Sequence, residues 1–241
     1  MSKTTRLLTM SFVVLLSLLS FSARAEYQPW SPKVFAHINH KYGADAEQRM
    51  RKLQRFIAIN YDKPIQEKLS NTNSMLNHLP WITDQAKYQQ NDYWATPLET
   101  IATFGGDCED IAISKFVVLR NMGVPTEHLT LAYVKIKRTG ESHMVLLYII
   151  DPQAPTSQQS SLVLDNYDKQ IKTGEERQDI IAIYSVSANN DIVLISDDGR
   201  GNRTILKEIE DVKFAKLDKI RAQILSNQTF YQNLNDGIPL F

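Results

Sequence analysis

Apolar positions recur at helical spacing through the first third of the chain and at strand spacing after it. Val34, Phe35, Ile38 and Tyr42 make one helical stripe. Met50, Leu53, Phe56, Ile57 and Tyr61 make a second, and Ile65, Leu69, Leu76 and Leu79 a third that follows Pro64. Thr83 to Asp92 is polar and reads as a connection, ending near Tyr93, Trp94 and Pro97. A helix is then expected from Cys108 to about Asn121, with Ile111, Ala112, Ile113, Phe116, Val117 and Leu119 as its apolar residues. Gly123 and Pro125 stop it.

The period changes after Pro125. Leu129 to Lys137 alternates apolar and polar residues, and Thr139-Gly140 turns it into the run His143 to Ile150, which reads as a buried central strand. A Pro/Ser/Gln-rich loop, Asp151 to Ser161, leads to the short strand Leu162 to Leu164 and on to Asp165-Asn166. Ile180 to Val186 and Ile192 to Ile195 pair around Asn189-Asn190, and Asp197-Asp198-Gly199 reads as a hairpin turn. A closing helix is expected from Val212 to Tyr231, with Phe214, Leu217, Ile220 and Ile224 on its apolar face. Helices first and antiparallel strands afterwards predict an α+β fold, with the Cys108 helix packed on one face of the sheet.

The N-terminus stands apart from this pattern. Lys3 and Arg6 precede an apolar, Ser-rich run from Met10 to Phe21, and Ala23-Arg24-Ala25 supplies the small residues a signal peptidase reads. Residues 1–25 are therefore expected to be an export signal and 26–241 a single domain in the periplasm, with no membrane insertion once the signal is cut. The whole chain balances 27 Lys and Arg against 27 Asp and Glu. Losing Lys3, Arg6 and Arg24 leaves a mildly acidic protein, so no affinity for nucleic acid or anionic lipid is expected.

Export sharpens the meaning of the single cysteine. Secreted proteins spend cysteines on disulfides, and a lone thiol cannot form one within the chain. Cys108 also sits behind Gly105-Gly106 at a helix start, where unpaired N–H groups and the macrodipole favour thiolate. A thiol nucleophile needs a base, and the base an orienting partner. Of the five histidines, His37 and His40 share a helix face without a third ligand, and His78 and His128 lie at element ends. His143 opens the most apolar strand, so it is the candidate base. Asp165 ends the next strand, where adjacent antiparallel residues come within reach of each other, so it is the candidate orienter. Asp151 competes for that role from the far end of the His143 strand.

Asp107, Glu109 and Asp110 oppose activation, because negative charge beside a thiolate raises its pKa. Either Asp107 caps the helix while the other two complement its dipole, or a cation offsets all three. Clustered carboxylate oxygens suit Ca²⁺.

Trp94-Ala-Thr-Pro-Leu-Glu99, Gly105-Gly-Asp-Cys-Glu-Asp110, Ser142-His-Met-Val145 and Leu164-Asp-Asn166 together resemble the bacterial transglutaminase-like cysteine proteinases. The resemblance implies a papain/transglutaminase-like core with Cys108, His143 and Asp165 as catalytic triad and Trp94 lining the site. It also implies Ca²⁺ held through Asp107 and Glu109. The adhesin-processing members of the family imply a substrate, the N-terminal region of a large repeat-containing surface adhesin, whose release disperses a biofilm. They imply an inhibitory partner too, a LapD-like inner-membrane receptor that answers to cyclic-di-GMP. A transglutaminase using the same triad and a non-catalytic module of the same fold are the alternatives.

Overall fold

The computed structural model describes residues 27–187, 191–198, 203–210 and 215–234. The expected export signal and the Asn189-Asn190 turn lie outside them, as do Gly199 and Val212 to Phe214.

The helical region divides where its sequence breaks. α1 (Pro32–Tyr42) and α2 (Ala44–Asn60) meet at Gly43, and α3 (Ile65–Leu76) starts behind Pro64. Gly43 takes φ of 88°, a left-handed value that favours glycine. The polar connection is not wholly irregular. It holds the short α4 (Asp84–Tyr88), whose cap Thr83 accepts a hydrogen bond from the Ala86 N–H, and α5 (Pro97–Ala102) follows it. α5 starts on a cap at Thr96, which accepts from the Glu99 N–H, and has Pro97 at its first position. α6 (Cys108–Asn121) has the boundaries its pattern predicts, and Gly123 follows it with φ of 77°.

The strands are β1 (Leu129–Ile136), β2 (Ser142–Ile149), β3 (Ser161–Leu164), β4 (Lys172–Thr173), β5 (Ile180–Ser187), β6 (Ile192–Asp197) and β7 (Arg203–Ile209). They form one sheet in the order β4-β3-β2-β1-β5-β6-β7, with antiparallel pairing throughout. The two-residue side chain period sorts β1 to β3 into two faces. Leu129, Leu131, Met144, Leu146 and Leu164 cluster with Ile113 and Leu119 of α6. Ala132, Val134, Val145 and Val163 make a smaller cluster of their own. α6 therefore lies on one face of the sheet, as expected. Each fully buried leucine of that layer contributes about 1.5–3 kcal/mol.

The closing α7 (Ala215–Leu234) ties the halves together. Ile220 packs with α6 and the sheet, and Tyr231 packs with α1 and α2. Among the described residues, no helix is long and apolar enough to cross a membrane.

Candidate active site

Cys108 opens α6 from a loop with little freedom. Phe104 has φ of 58° and Gly105 of 135°. A Cβ on Gly105 would lie 2.6 Å from the Pro80 carbonyl oxygen, so no other residue fits without displacing that segment. Gly106 donates to the Pro80 carbonyl at 3.2 Å and accepts from the Ile82 N–H at 3.0 Å. The segment ahead of α4 thus braces the turn that presents the thiol.

The thiol is half-buried and donates to Glu109 Oε2 at 3.0 Å. The backbone of Met144 also reaches the sulfur, which places Cys108 against the start of β2, one residue on from His143. Burial pushes the thiol pKa well up, Glu109 pushes it further, and the Met144 backbone opposes them. A helix N-terminus alone predicts the reverse. Here desolvation and the neighbouring acid outweigh it.

His143 is buried near the start of β2, and its Nε2 lies 2.6 Å from Asp165 Oδ1. The β2–β3 ladder pairs Leu146 with Leu164, so Asp165 leaves β3 at the end where β2 begins. Burial would raise the Asp165 pKa. The hydrogen bond and charge of His143, the Tyr167 N–H and Arg177 outweigh burial and hold it well below the carboxylate range. An ionised carboxylate only accepts, so Nε2 carries the proton and Nδ1 is left as the basic nitrogen. Asp151 lies beyond the other end of β2, exposed, where its Oδ1 accepts from the Gln153 N–H at 3.1 Å.

The remaining candidates fall into place around these. Trp94 is half-buried in the apolar cluster that Cys108 also borders. His37 packs edge-on against Phe230 and Tyr231. His78 Nδ1 lies 2.6 Å from the Ser74 carbonyl, and His128 Nδ1 lies 2.7 Å from that of Ile149 at the far end of β2.

The acids beside the thiol gather partners that the sequence pattern did not single out. Ligand oxygens of Asp84, Asp107 and Asp110 lie within 4.8 Å of one another, and those of Asp84, Asp92 and Glu109 make a second such group. Asp110 is fully buried. Its Oδ1 accepts from the Ala95 N–H at 2.7 Å, and its Oδ2 has no hydrogen-bond partner. Asp107 makes no side-chain cap to α6, and its buried Oδ1 is likewise without a hydrogen bond. Capping therefore does not account for it. A Cβ on Gly106 would collide with the Asp110 carboxylate, so glycine there leaves the acids their space.

Burial pushes Asp107 up to about 9, with the charges of Glu109, Asp110 and Asp84 adding to it. Burial pushes Asp110 up to about 7; the Ala95 N–H opposes, while Glu109 and Asp84 add. Lys87 stands close by, its ammonium bonded to the Gly105 carbonyl and its charge felt by Asp110, Glu99, Asp107 and Asp84. Buried carboxylate oxygens without donors, in an all-oxygen set, fit a calcium ion.

A stability prediction follows from the sign of those shifts. Acids raised above their unfolded values bind more protons folded than unfolded, so folding free energy is lost as pH rises from about 5 to 7. Each proton of difference costs about 1.4 kcal/mol per pH unit, or roughly 3–6 °C in Tm. Asp165 is ionised in both states over that range and adds no slope. Thermal melts in EGTA should show Tm falling between pH 5 and 7, and calcium should flatten the fall. A Tm that rises over that interval in EGTA would contradict it.

The model of the bacterial transglutaminase-like cysteine proteinase family, BTLCP, matches residues 29–189. Solved structures of Legionella pneumophila LapG are also similar. The calcium-bound form is 28% identical with a TM-score of 0.62, over 78% of this chain and 96% of that one. The EGTA-treated form is 27% identical with a TM-score of 0.65, over 81% and 99%. No curated protein sequence matches.

Proposed function

Because the chain belongs to the bacterial transglutaminase-like cysteine proteinase family and is a cysteine protease of the LapG type, we propose that it is a periplasmic endopeptidase acting through Cys108, His143 and Asp165. The observation that carries this reading is the 2.6 Å bond from His143 Nε2 to an ionised Asp165, with the backbone of the next residue, Met144, reaching the Cys108 sulfur. That bond leaves Nδ1 to take the thiol proton. The thiolate then attacks the scissile carbonyl. The Cys108 N–H, at the first position of α6, would donate to the developing oxyanion. The imidazolium returns its proton to the leaving amine, and water, deprotonated by the same nitrogen, hydrolyses the thioester. Asp165 stays ionised and steadies the imidazolium. Tyr167, exposed and edge-on to His143 with ring centroids 6.2 Å apart, and the indole of Trp94 are the flanking walls for substrate.

Asp84, Asp107 and Asp110, with Glu109 beside them, would hold calcium. The ion would supply positive charge against carboxylates that otherwise keep the thiol protonated. Two LapG structures described as calcium-bound and EGTA-treated support this reading. Asp107→Ala and Asp110→Ala should each lower calcium affinity by at least tenfold in calorimetry. Folded wild-type protein that binds no calcium would remove the ion from the account.

The substrate of this reading is the N-terminal region of a large surface adhesin. The controlling partner is a LapD-like inner-membrane receptor that holds the protease when cyclic-di-GMP is high, so that its release disperses a biofilm. The test incubates residues 26–241 with the N-terminal fragment of a candidate adhesin, with calcium and with EGTA. One cut is expected that stops in EGTA and resumes on added calcium. Magnesium should restore little, because it prefers a tight octahedral site and keeps its waters. An intact fragment in calcium would contradict the adhesin as substrate.

A further inference from the structure

Asp165 is held by more than the histidine it faces. Its Oδ1 accepts from His143 Nε2 at 2.6 Å and from the Tyr167 N–H at 2.9 Å. Its Oδ2 accepts from Arg177 Nη2 at 2.8 Å, and its main-chain carbonyl accepts from Asn77 Nδ2 at 2.7 Å. The Asp165 and Arg177 side chains are both fully buried. The guanidinium is gripped in turn by Asp179, with Nε 2.7 Å from Oδ1 and Nη2 2.9 Å from Oδ2. Arg203 of β7 then braces the loop that carries Arg177, donating to the carbonyls of Gly174 and Arg177 while its Nε lies 2.9 Å from Asp197 Oδ2.

We propose that Arg177, locked by Asp179, is a positioning residue that aims the Asp165 carboxylate at His143. This rests on the reading of Cys108, His143 and Asp165 as one catalytic unit. A fully buried arginine–aspartate pair adds little net stability, because both charges surrender their water. Orientation is the stronger reason for this one. A carboxylate bonded to His143 alone can rotate about its terminal bond and pass the imidazole either oxygen. With Arg177 on Oδ2 and the Tyr167 N–H on Oδ1, any rotation breaks bonds at both oxygens. The fork of Arg177 is itself fixed by two bonds to Asp179, so the direction of the carboxylate is set from outside the site. Nothing in Gly174-Glu-Glu-Arg177 marks this role in the sequence, because it depends on β4 and β5 bringing a loop behind Asp165.

The charged groups facing Asp165 are His143 from β2, Arg177, Asp179 behind it, and Lys115, which reaches it from the middle of α6. Burial lowers the Lys115 pKa to about 7, with Asp165 opposing, so near neutral pH the charge of Arg177 is the dependable one. Its removal should let Asp165 keep a proton to higher pH and move the acid limb of the activity profile upward.

The test uses residues 26–241 bearing Arg177→Met, Arg177→Lys or Asp179→Asn, with calcium present. Arg177→Met should lower kcat on the adhesin fragment by roughly 10–100-fold, the range for losing an outer partner of a working ligand. KM should stay within about twofold, because no substrate contact is lost. The acid limb should move up in pH, and the far-downfield proton signal of His143 Nε2–H should shift or broaden. Arg177→Lys keeps the charge and should bring the acid limb back while recovering only part of kcat. Should Arg177→Met not fold, Asp179→Asn decides, since Asp179 is half-exposed and its loss only frees the guanidinium. It should lower kcat several-fold and perturb the same proton signal. Folded variants with an unmoved limb and an unchanged His143 signal would make Arg177 a plain structural ion pair and overturn the proposal. If wild type leaves the fragment uncut, the proposed function fails, and the His143 signal still decides the role of Arg177.

Discussion

Cys108→Ala is expected to fold like the wild type and to cut nothing, a loss of roughly four to six orders of magnitude in kcat. The thiol is half-buried and its hydrogen bond goes to its own neighbour Glu109, so truncation costs little packing. Any change in Tm should be small, because the one hydrogen bond lost is a weak S–H donor to Glu109. The loss of activity should be total because the chain holds one cysteine and no other thiol can take over. His143→Ala should remove turnover nearly as completely, since among the described residues His143 is the histidine that Asp165 orients. Parallel melts and cleavage assays of the two variants check this. Wild-type cleavage by either would end the account.

Asp165→Asn carries the second large effect, a fall in kcat of roughly two to four orders of magnitude with KM little changed. Asparagine keeps the shape. Its amide donates where a carboxylate accepted, so the proton on His143 Nε2 loses its acceptor and the wrong tautomer is favoured. It also removes one of the two anionic partners of the buried Arg177, which keeps Asp179, so a destabilisation below the ~3–5 kcal/mol of a buried charge left unpaired should accompany it. Asp151→Asn should change neither, because Asp151 lies at the far end of β2 in a turn of its own. Kinetics and melts of the two variants side by side separate the roles. A loss confined to Asp151→Asn would transfer the orienting role to that residue.

How much of this was legible beforehand follows the range of each interaction. α6 and the cores of β1, β2 and β3 were readable because period, Gly-containing turns and stop signals are local. The places of Cys108, His143 and Asp165 in the fold were readable because a helix start, a strand start and a strand end are sequence positions. α5 was missed although Thr96, Pro97 and Glu99 spell a helix start, because six residues are too few to show a period. β7 was missed because its face is polar, with Leu206 largely exposed. Asp84 could not be found, since an aspartate in a polar connection looks like any loop acid. Only folding carries it to Asp107 and Asp110. Arg177 was invisible for the same reason. The expected closing-helix stripe is borne out at Ile220 and Ile224.

The measurement that tests the central claim most directly is alkylation of the single thiol, followed by mass and activity together. Wild type in calcium is treated with iodoacetamide and sampled over time, with the adhesin fragment as substrate. The expected result is one carboxamidomethyl group per chain, on Cys108, with cleavage lost in strict proportion to labelling. His143→Ala should label more slowly, because its thiol has no base. Fully labelled protein that still cuts the fragment at the wild-type rate would contradict the claim that Cys108 is the nucleophile.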